Sequence, residues 1–186
     1  MVYCDFDGVL LDFCGALHDS LKKRGVNYIV ENTETYDFRG KSGVPRQEIF
    51  NEMYNVTMYH NLKFFDGALE ALEKLKAYTE VYSYTGSVNH PEIVEIRNKL
   101  IKKLELKGTA YVGVSKPILL DSDAVFEDEL NKLIEYAKND YKGKLFLIKH
   151  TYNNFSDENI MYSNQIIVCN NFAEAVDRYI FNDEME

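Results

Sequence analysis

Short apolar segments alternate with amphipathic segments along most of this 186-residue chain. The apolar segments at 2–6, 81–84 and 145–148 have the length and the aromatic or aliphatic composition of buried strands. The segments at 13–24 and 67–78 repeat apolar side chains at helical spacing. Strands separated by helices of this length need right-handed crossovers. The sequence therefore predicts an α/β fold with a mostly parallel sheet and helices on both faces.

The pattern weakens between residues 26 and 64, where polar segments, glycines and many aromatic side chains replace the alternation. This interruption falls between the first and second predicted strands, so we expect a small, mainly helical insertion there. The predicted division is a core of 1–12 and 66–186 and a cap of 13–65. Beyond the five segments above, strands are predicted at 110–114, 125–126 and 166–169, and helices at 45–53, 91–104, 129–138 and 173–179.

Charge and hydropathy exclude several classes of protein. The formal net charge of −9 argues against binding a polynucleotide through a basic surface. The sequence opens without a basic segment, so we expect no signal peptide. It has no long apolar run, so we expect no membrane helix. Cys4, Cys14 and Cys169 form no Cys-x-x-Cys motif and suit a reducing cytosol. We therefore expect a cytoplasmic protein; a homodimer is compatible with the sequence, which does not determine the oligomeric state.

Polar side chains that can handle a phosphate group follow four of the predicted strands. Because the carboxyl ends of parallel strands meet at one edge of a sheet, we expect these side chains to converge. Four such positions together indicate a site more strongly than any one of them. They are Asp5 and Asp7 after the first strand, Thr85 after 81–84, Lys116 after 110–114, and Glu127 and Asp128 after 125–126.

Asp5 and Asp7 have the spacing needed for attack on a phosphate ester. A carboxylate at Asp5 can act as nucleophile and form an aspartyl-phosphate, which divides one difficult hydrolysis into two easier steps. Asp7 lies on the same side of an extended backbone and can serve as general acid and then as general base. Gly8 allows a tight turn or a close backbone approach directly after this pair.

The later strand ends add phosphate ligands and a metal site. The Thr85 hydroxyl and the Gly86 amide can donate to phosphoryl oxygens, and Lys116 supplies a positive charge for them. An all-oxygen ligand set at this edge would suit Mg²⁺, which would shield the Asp5 carboxylate from the phosphate. The candidate metal ligands are Asp5, Asp7, with its carbonyl group, Glu127 and Asp128.

Other interpretations of the same residues stay open at this level. An EF-hand calcium loop starting at Asp5 would need Glu at its twelfth position, where Ala16 stands. Asp121 and Asp123 are alternative metal ligands, although no predicted strand ends at them. Taken alone, Thr85 is equally consistent with an ordinary strand-end residue, and a lysine such as Lys116 is more often simply solvated. Ser83 competes with Thr85 but alternates to the other face.

The segment Asp5-Phe-Asp7-Gly-Val-Leu resembles the first motif of the haloacid dehalogenase superfamily of phosphatases. Thr85, Lys116 and the pair Glu127-Asp128 resemble its second, third and fourth motifs in the correct order, so the resemblance spans nearly the whole chain. It implies a Rossmann-like core, dependence on Mg²⁺ and a phosphoaspartate intermediate.

A narrower resemblance is to the 5'(3')-deoxyribonucleotidase branch, in which a cap follows the first motif. Phe65-Asp-Gly-Ala-Leu-Glu-Ala-Leu is similar to the segment that returns to the core in that branch, and Leu147-Ile-Lys-His-Thr-Tyr-Asn153 to its strand and Tyr-Asn loop. The branch usually has Pro where Asp66 stands. The interval from Lys116 to Glu127 has room for only a small helix.

We therefore expect a Mg²⁺-dependent phosphomonoester hydrolase acting on a small phosphate ester, with a nucleoside monophosphate, preferably deoxy, as the first candidate. The alternatives are a phosphatase for a sugar phosphate or another small metabolite, a catalytically silent binding protein of the same fold, and a 3'-end phosphatase acting on nucleic acid, which the acidic balance disfavours. Candidate base contacts are Phe13, Tyr36 and Phe38, although single cap aromatics more often belong to a core.

Overall fold

The computed structural model describes residues 1–26, 45–113 and 116–183. None of the helices in these ranges combines the length and the apolar composition needed to span a membrane. The strands are β1 (Val2–Cys4), β2 (Val81–Ser83), β3 (Gly86–Ser87), β4 (Tyr111–Val112), β5 (Ala124–Glu127), β6 (Lys144–Ile148) and β7 (Ile166–Cys169). The helices are α1 (Phe13–Lys23), α2 (Arg46–Met53), α3 (Val56–His60), α4 (Ala68–Tyr78), α5 (Pro91–Lys103), α6 (Leu130–Lys138) and α7 (Phe172–Asp183), with a 3-10 turn at Ile160–Tyr162.

Five strands form one sheet in the order β2-β1-β5-β6-β7, and every neighbouring pair is parallel. The register aligns Cys4 of β1 with Ser83 of β2 and with Phe126 of β5. α-Helices lie in the connections from β1 to β2, from β2 to β5 and from β5 to β6, whereas the connection from β6 to β7 contains only the 3-10 turn. The predicted fold class, a parallel α/β sheet with helices on both faces, is confirmed.

Alternate residues of each strand enter the two hydrophobic layers that enclose the sheet. Val2 and Cys4 face a core that α4 and α7 complete, whereas Tyr3 between them faces the layer containing α6. Phe126 of β5 and Phe146 of β6 stack on the first face with ring centroids 4.9 Å apart. Burial on both faces explains why these strands are apolar throughout.

Helices α1, α2 and α3 form a third hydrophobic cluster, which we call the helical group. Its core contains Phe13, Leu17 and Leu21 of α1, and it rests on Ile93 of α5. The α1 helix begins at an Asp12 cap, and Gly25 follows its end with a φ of +79° that glycine adopts without strain. The sequence predicted helices at 13–24 and 45–53, but it did not predict α3.

The predicted strand at 110–114 forms where expected but does not join the central sheet. Instead β4 pairs with β3, a strand that the sequence did not predict, through bonds such as Tyr111 N to Thr85 O at 2.9 Å. The pairing of β2 with β1 ends at Ser83. The chain continues from β2 into β3, and β4 pairs with β3 instead of with the central sheet. No helix forms between residues 116 and 123; that interval is a loop.

Candidate active site

Asp5 directly follows β1 at the point where the connections from this strand diverge. In the sheet, β2 lies on one side of β1 and β5 lies on the other. The connections at the carboxyl ends of these strands therefore run in opposite directions, which opens a crevice there. Asp5 is buried, its amide donates to Phe126 O at 3.0 Å, and its Oδ1 accepts a bond from Phe6 N at 2.7 Å. The backbone thus fixes the carboxylate at the mouth of the crevice.

Lys116 joins two buried carboxylates across this edge. Its Nζ lies 2.7 Å from Asp5 Oδ2 and 2.5 Å from Glu127 Oε2, and it sits 4.9 Å from the centroid of the Tyr84 ring. Burial opposes the charge on Lys116, but the carboxylates of Asp5 and Glu127 hold its pKa well above the ordinary value. The lysine is therefore a permanent positive charge beside Asp5.

Three carboxylates, those of Asp5, Glu127 and Asp128, are buried together, with one oxygen of each within 4.8 Å of the others. Burial raises the pKa of Glu127 to about 7, and it does the same for Asp128, where the Asp5 charge adds to the effect. The pKa of Asp5 is raised for the same reasons, burial first and then Glu127. A set of hard oxygen donors with excess negative charge fits Mg²⁺. Asp123, the rival ligand, stands at the opposite end of β5 and pairs with the amino terminus.

The loop after β6 holds Asp128 in place. Tyr152 Oη donates to Asp128 Oδ2 at 2.6 Å, and Asn153 Nδ2 donates to the Asp128 carbonyl at 2.8 Å. His150 Nε2 lies 2.6 Å from the Gly8 carbonyl, and its ring stacks on Tyr152 at 5.0 Å. Residues after β1, β5 and β6 are thereby bonded into one unit.

Asp7 pairs with an arginine from α5. Arg97 Nη2 lies 2.5 Å from Asp7 Oδ2, and only 2% of the Arg97 side chain is exposed. The other carboxylate oxygen, Oδ1, is buried and accepts no hydrogen bond from the described residues. The Asp7 carboxylate therefore pairs with α5 and is not one of the clustered carboxylates.

A cavity of about 450 Å³ lies above these groups. Its base consists of the acidic and basic side chains just described, and its walls come from the β3 region and α6. The helical group closes the other side. The residues that line it are Asp5, Asp7, Met53, Tyr54, Tyr59, Gly86, Ser87, Val88, Asn89, Arg97, Gly113, Lys116, Glu127, Asp128, Glu129 and Lys132.

No family model matches the sequence, and no curated protein does. Solved structures match over nearly the whole chain. A haloacid dehalogenase-like hydrolase from Streptococcus pneumoniae has a TM-score of 0.57 at 14% identity, covering 96% of this chain and 97% of its own. Another from Burkholderia xenovorans gives 0.55 at 17%, covering 95% and 94%. CbbY from Rhodobacter sphaeroides gives 0.52 at 15%, covering 93% and 94%.

The chain has the haloacid dehalogenase-like fold. Because the identities are this low, the likeness establishes the fold and leaves the reaction to be inferred from the site. The coverage shows that the helical group, as well as the central sheet, falls within the matched length.

Within the haloacid dehalogenase-like fold, the predicted phosphate ligands Gly86 and Thr85 differ in how deeply they are buried. Gly86 lines the cavity, whereas Thr85 is fully buried and its Oγ1 donates to Gly86 O at 3.3 Å. Phe13, predicted as a base contact, lies in the core of the helical group, 6.0 Å from the Tyr59 ring, and does not line the cavity. Tyr36 and Phe38 lie outside the described residues.

Several residues of the cavity were not found from the sequence. Arg97 and Lys132 are buried basic side chains on α5 and α6, and Tyr54 and Tyr59 come from the helical group. In the sequence both basic residues lie within ordinary amphipathic helices. The one available indication was that Arg97 falls on the apolar face of α5, between Ile93 and Ile101 at a spacing of four.

Proposed function

We propose that this protein is a Mg²⁺-dependent phosphomonoester hydrolase that works through an aspartyl-phosphate at Asp5. The observation that carries the proposal is the Asp5 carboxylate, buried at the base of a cavity between the Lys116 ammonium group and two further carboxylates. A buried nucleophile, a fixed cation and an all-oxygen metal site are the parts that phosphoryl transfer requires.

The proposed reaction has two steps. In the first, a carboxylate oxygen of Asp5 forms a bond to phosphorus while the ester P–O bond breaks, and Asp7 gives its proton to the leaving alkoxide. In the second, Asp7 takes a proton from water, the hydroxyl oxygen bonds to phosphorus, and the bond to Asp5 breaks. Lys116 and the amide of Gly86 would hold the phosphoryl oxygens throughout, and the predicted role of Thr85 needs its hydroxyl to turn from Gly86 O.

Mg²⁺ would be held by Asp5, Glu127 and Asp128, with the Asp7 carbonyl as the predicted backbone ligand. When bound, the ion would neutralise carboxylate charge and stabilise the transferring phosphoryl group. The bonds from Tyr152 and Asn153 would keep Asp128 oriented for this role.

The substrate that we propose first is a nucleoside 5'- or 3'-monophosphate. The cavity volume of about 450 Å³ is in the range of ligand sites, and Tyr54 presents a partly exposed ring at its rim. An exposed ring of this kind can stack on a base. In this proposal the segment 13–65 acts as a cap on the core formed by 1–12 and 66–186.

A sugar phosphate is the second candidate. Ser87 and Asn89 line the cavity and can bond hydroxyl groups, and the buried Lys132 adds a cation suited to a second anionic group. CbbY, which shares the fold, was solved with phosphate and, as a mutant, with xylulose 1,5-bisphosphate. A second phosphate would use Lys132, whereas a base would use Tyr54.

The nucleophile is tested by Asp5→Asn. We expect this variant to lose hydrolysis by at least about 10³-fold in kcat, because the carboxamide cannot attack phosphorus to form the aspartyl-phosphate, while it stays folded. Turnover of p-nitrophenyl phosphate with Mg²⁺ and a thermal melt measure the two properties. Asp19→Asn, on the exposed face of α1, is the matched control and should retain activity. Turnover by Asp5→Asn at the wild-type rate would refute the assignment.

The substrate class is tested by a panel of phosphate esters. It contains deoxy- and ribonucleotides with 5' or 3' phosphates, sugar mono- and bisphosphates, and p-nitrophenyl phosphate, each with Mg²⁺ and with EDTA. A preference for nucleotides supports the first candidate, and a preference for bisphosphates supports the second. Loss of the Tyr54 ring in Tyr54→Ala should raise KM for nucleotides more than KM for p-nitrophenyl phosphate. Uniformly weak turnover across the panel would contradict the nucleotide assignment.

A further inference from the structure

Arg97 is the largest of the fully buried side chains among this protein's described residues, and it carries a charge; 1% of the residue is exposed. Removing a guanidinium group from water is costly unless a partner compensates, and breaking such a pair is strongly destabilising. Its partner is Asp7, the residue to which the proposed function assigns proton transfer. A buried charge that pairs with this carboxylate points to a role in the reaction.

The ion pair joins one nitrogen of the Arg97 guanidinium group to one oxygen of the Asp7 carboxylate. Arg97 Nη2 bonds Asp7 Oδ2 at 2.5 Å, while Nη1 and Nε of Arg97 and Oδ1 of Asp7 are buried without hydrogen bonds to the described residues. A two-armed pair would occupy both carboxylate oxygens. The one-armed pair instead holds Asp7 by Oδ2 and leaves Oδ1 for a proton that passes to or from a reacting oxygen.

The guanidinium group also contacts the helical group. The Tyr59 ring of α3 lies 5.0 Å from the Arg97 guanidinium carbon, which is the distance of a cation–π contact. Tyr59 is itself fixed, because its hydroxyl donates to Met53 O at the end of α2 with a length of 3.0 Å. Arg97 therefore lies between the helical group on one side and Asp7 on the other.

We propose that Arg97 is a positioning residue for Asp7, and that Tyr59 positions Arg97. The arginine sets the orientation in which Asp7 Oδ1 meets the leaving oxygen, and Tyr59 makes this orientation depend on the placement of the helical group over the cavity. This inference rests on the proposed function, because it assumes that Asp7 transfers the proton.

The reaction itself provides a selective measurement. When the P–O bond breaks, an alkoxide such as benzyl oxide needs the Asp7 proton, whereas p-nitrophenolate is a stable anion and leaves without it. In the first step, which kcat/KM reports, loss of Asp7 orientation should therefore slow benzyl phosphate much more than p-nitrophenyl phosphate. The second step uses Asp7 for both esters, because they share the aspartyl-phosphate. A loss of folding or of phosphate binding would slow both substrates alike.

The experiment compares kcat/KM for these two esters in the full chain with Mg²⁺. We expect Arg97→Met to lower kcat/KM for benzyl phosphate by about 10- to 100-fold and kcat/KM for p-nitrophenyl phosphate by less than about 3-fold. Arg97→Lys, which keeps the charge and is the safer variant for folding, should fall between Arg97→Met and wild type. Lys99→Met on the exposed face of α5 is the matched control and should change neither rate.

Tyr59 supplies a second test within the helical group. Tyr59→Leu removes the ring and should shift the ratio of the two rates in the same direction as Arg97→Met, whereas Tyr59→Phe keeps the ring and should leave the ratio near wild type. Equal losses of kcat/KM for both esters in the Arg97 variants would overturn the positioning role. A wild-type protein that hydrolyses neither ester would instead overturn the proposed function, and the inference with it.

Discussion

At position 8, the geometry of the site requires glycine. Its φ of +73° is one that L side chains rarely adopt, and a Cβ built there would lie 2.1 Å from Asp128 Oδ2. Asp128 cannot yield, because Tyr152 and Asn153 hold its side chain and its carbonyl group. Glycine is thus needed both for the turn after Asp7 and for the approach of Asp128.

This arrangement predicts the effect of Gly8→Ala. We expect the variant to lose stability by about 2–4 kcal/mol and to lose Mg²⁺-dependent activity, because the methyl group displaces Asp128. Gly25→Ala is the control, since Gly25 has a φ of +79° but nothing within 4 Å of a Cβ. Chemical denaturation measures both variants. Equal destabilisation of the two would mean that backbone strain alone, without the contact to Asp128, accounts for the effect.

At the scale of an element, the loop of residues 116–123 carries Lys116 without helical or strand structure to support it. Tyrosines from the sheet and from α6 support it instead. Tyr84 Oη donates to Pro117 O, Leu119 N donates to Tyr136 Oη at 3.3 Å, and Tyr3 Oη donates to Asp121 at 3.3 Å. The small helix for which this interval has room does not form, and these tyrosine contacts hold the loop instead.

We predict that Tyr84→Phe weakens the hold on phosphate. The ring beneath the Lys116 ammonium group stays, but the bond to Pro117 O is lost, and one hydrogen bond is worth about 1 kcal/mol. The inhibition constant of inorganic phosphate should therefore rise by roughly 5-fold. Tyr82→Phe, which alters a tyrosine of β2 whose ring lies under the Lys107 ammonium group, is the control and should leave that constant unchanged. An unchanged constant in Tyr84→Phe as well would mean that the loop does not depend on this bond.

At the scale of the whole molecule, the buried acidic cluster couples folding to pH and, in the proposed function, to metal binding. Burial raises the pKa of Glu127 to about 7 and that of Asp128 to about 7, whereas both would titrate near pH 4 in the unfolded chain. The folded protein therefore binds more protons than the unfolded chain between these values. The contribution of these two groups to the metal-free stability is fully present below about pH 4 and is lost as the pH rises through 7.

We predict that these groups lower the Tm in EDTA by about 5 °C between pH about 5 and about 8, and that Mg²⁺ restores more stability at the higher pH. The ion binds the charged carboxylates, so its effect grows as they ionise. Glu127→Gln should flatten both dependences. Thermal melts of the wild type and the variant give the comparison. If the two proteins showed the same pH slope in EDTA, the cluster would not be the cause.

Much of the fold could be predicted because its causes are local. The strands at 2–6 and 145–148 are apolar at every position since both faces of the sheet are covered, and the helix at 67–78 repeats its apolar residues at a helical period. The pairing of β4 with β3 could not be predicted, since it depends on where β2 leaves β1. The helix α3 has only five residues, too few for a periodic pattern.

By itself, the sequence determined the order of most strands and helices and which polar side chains follow the strands, including Asp5, Lys116 and Glu127. Periodicity and position after a strand are properties of neighbouring residues, and parallel pairing brings such ends to one edge. Only the tertiary structure decided that Arg97 pairs with Asp7 across 90 positions of sequence, and that Phe13 lies within a core rather than along the cavity. These contacts depend on how α5 and the helical group pack, and no local pattern encodes that packing.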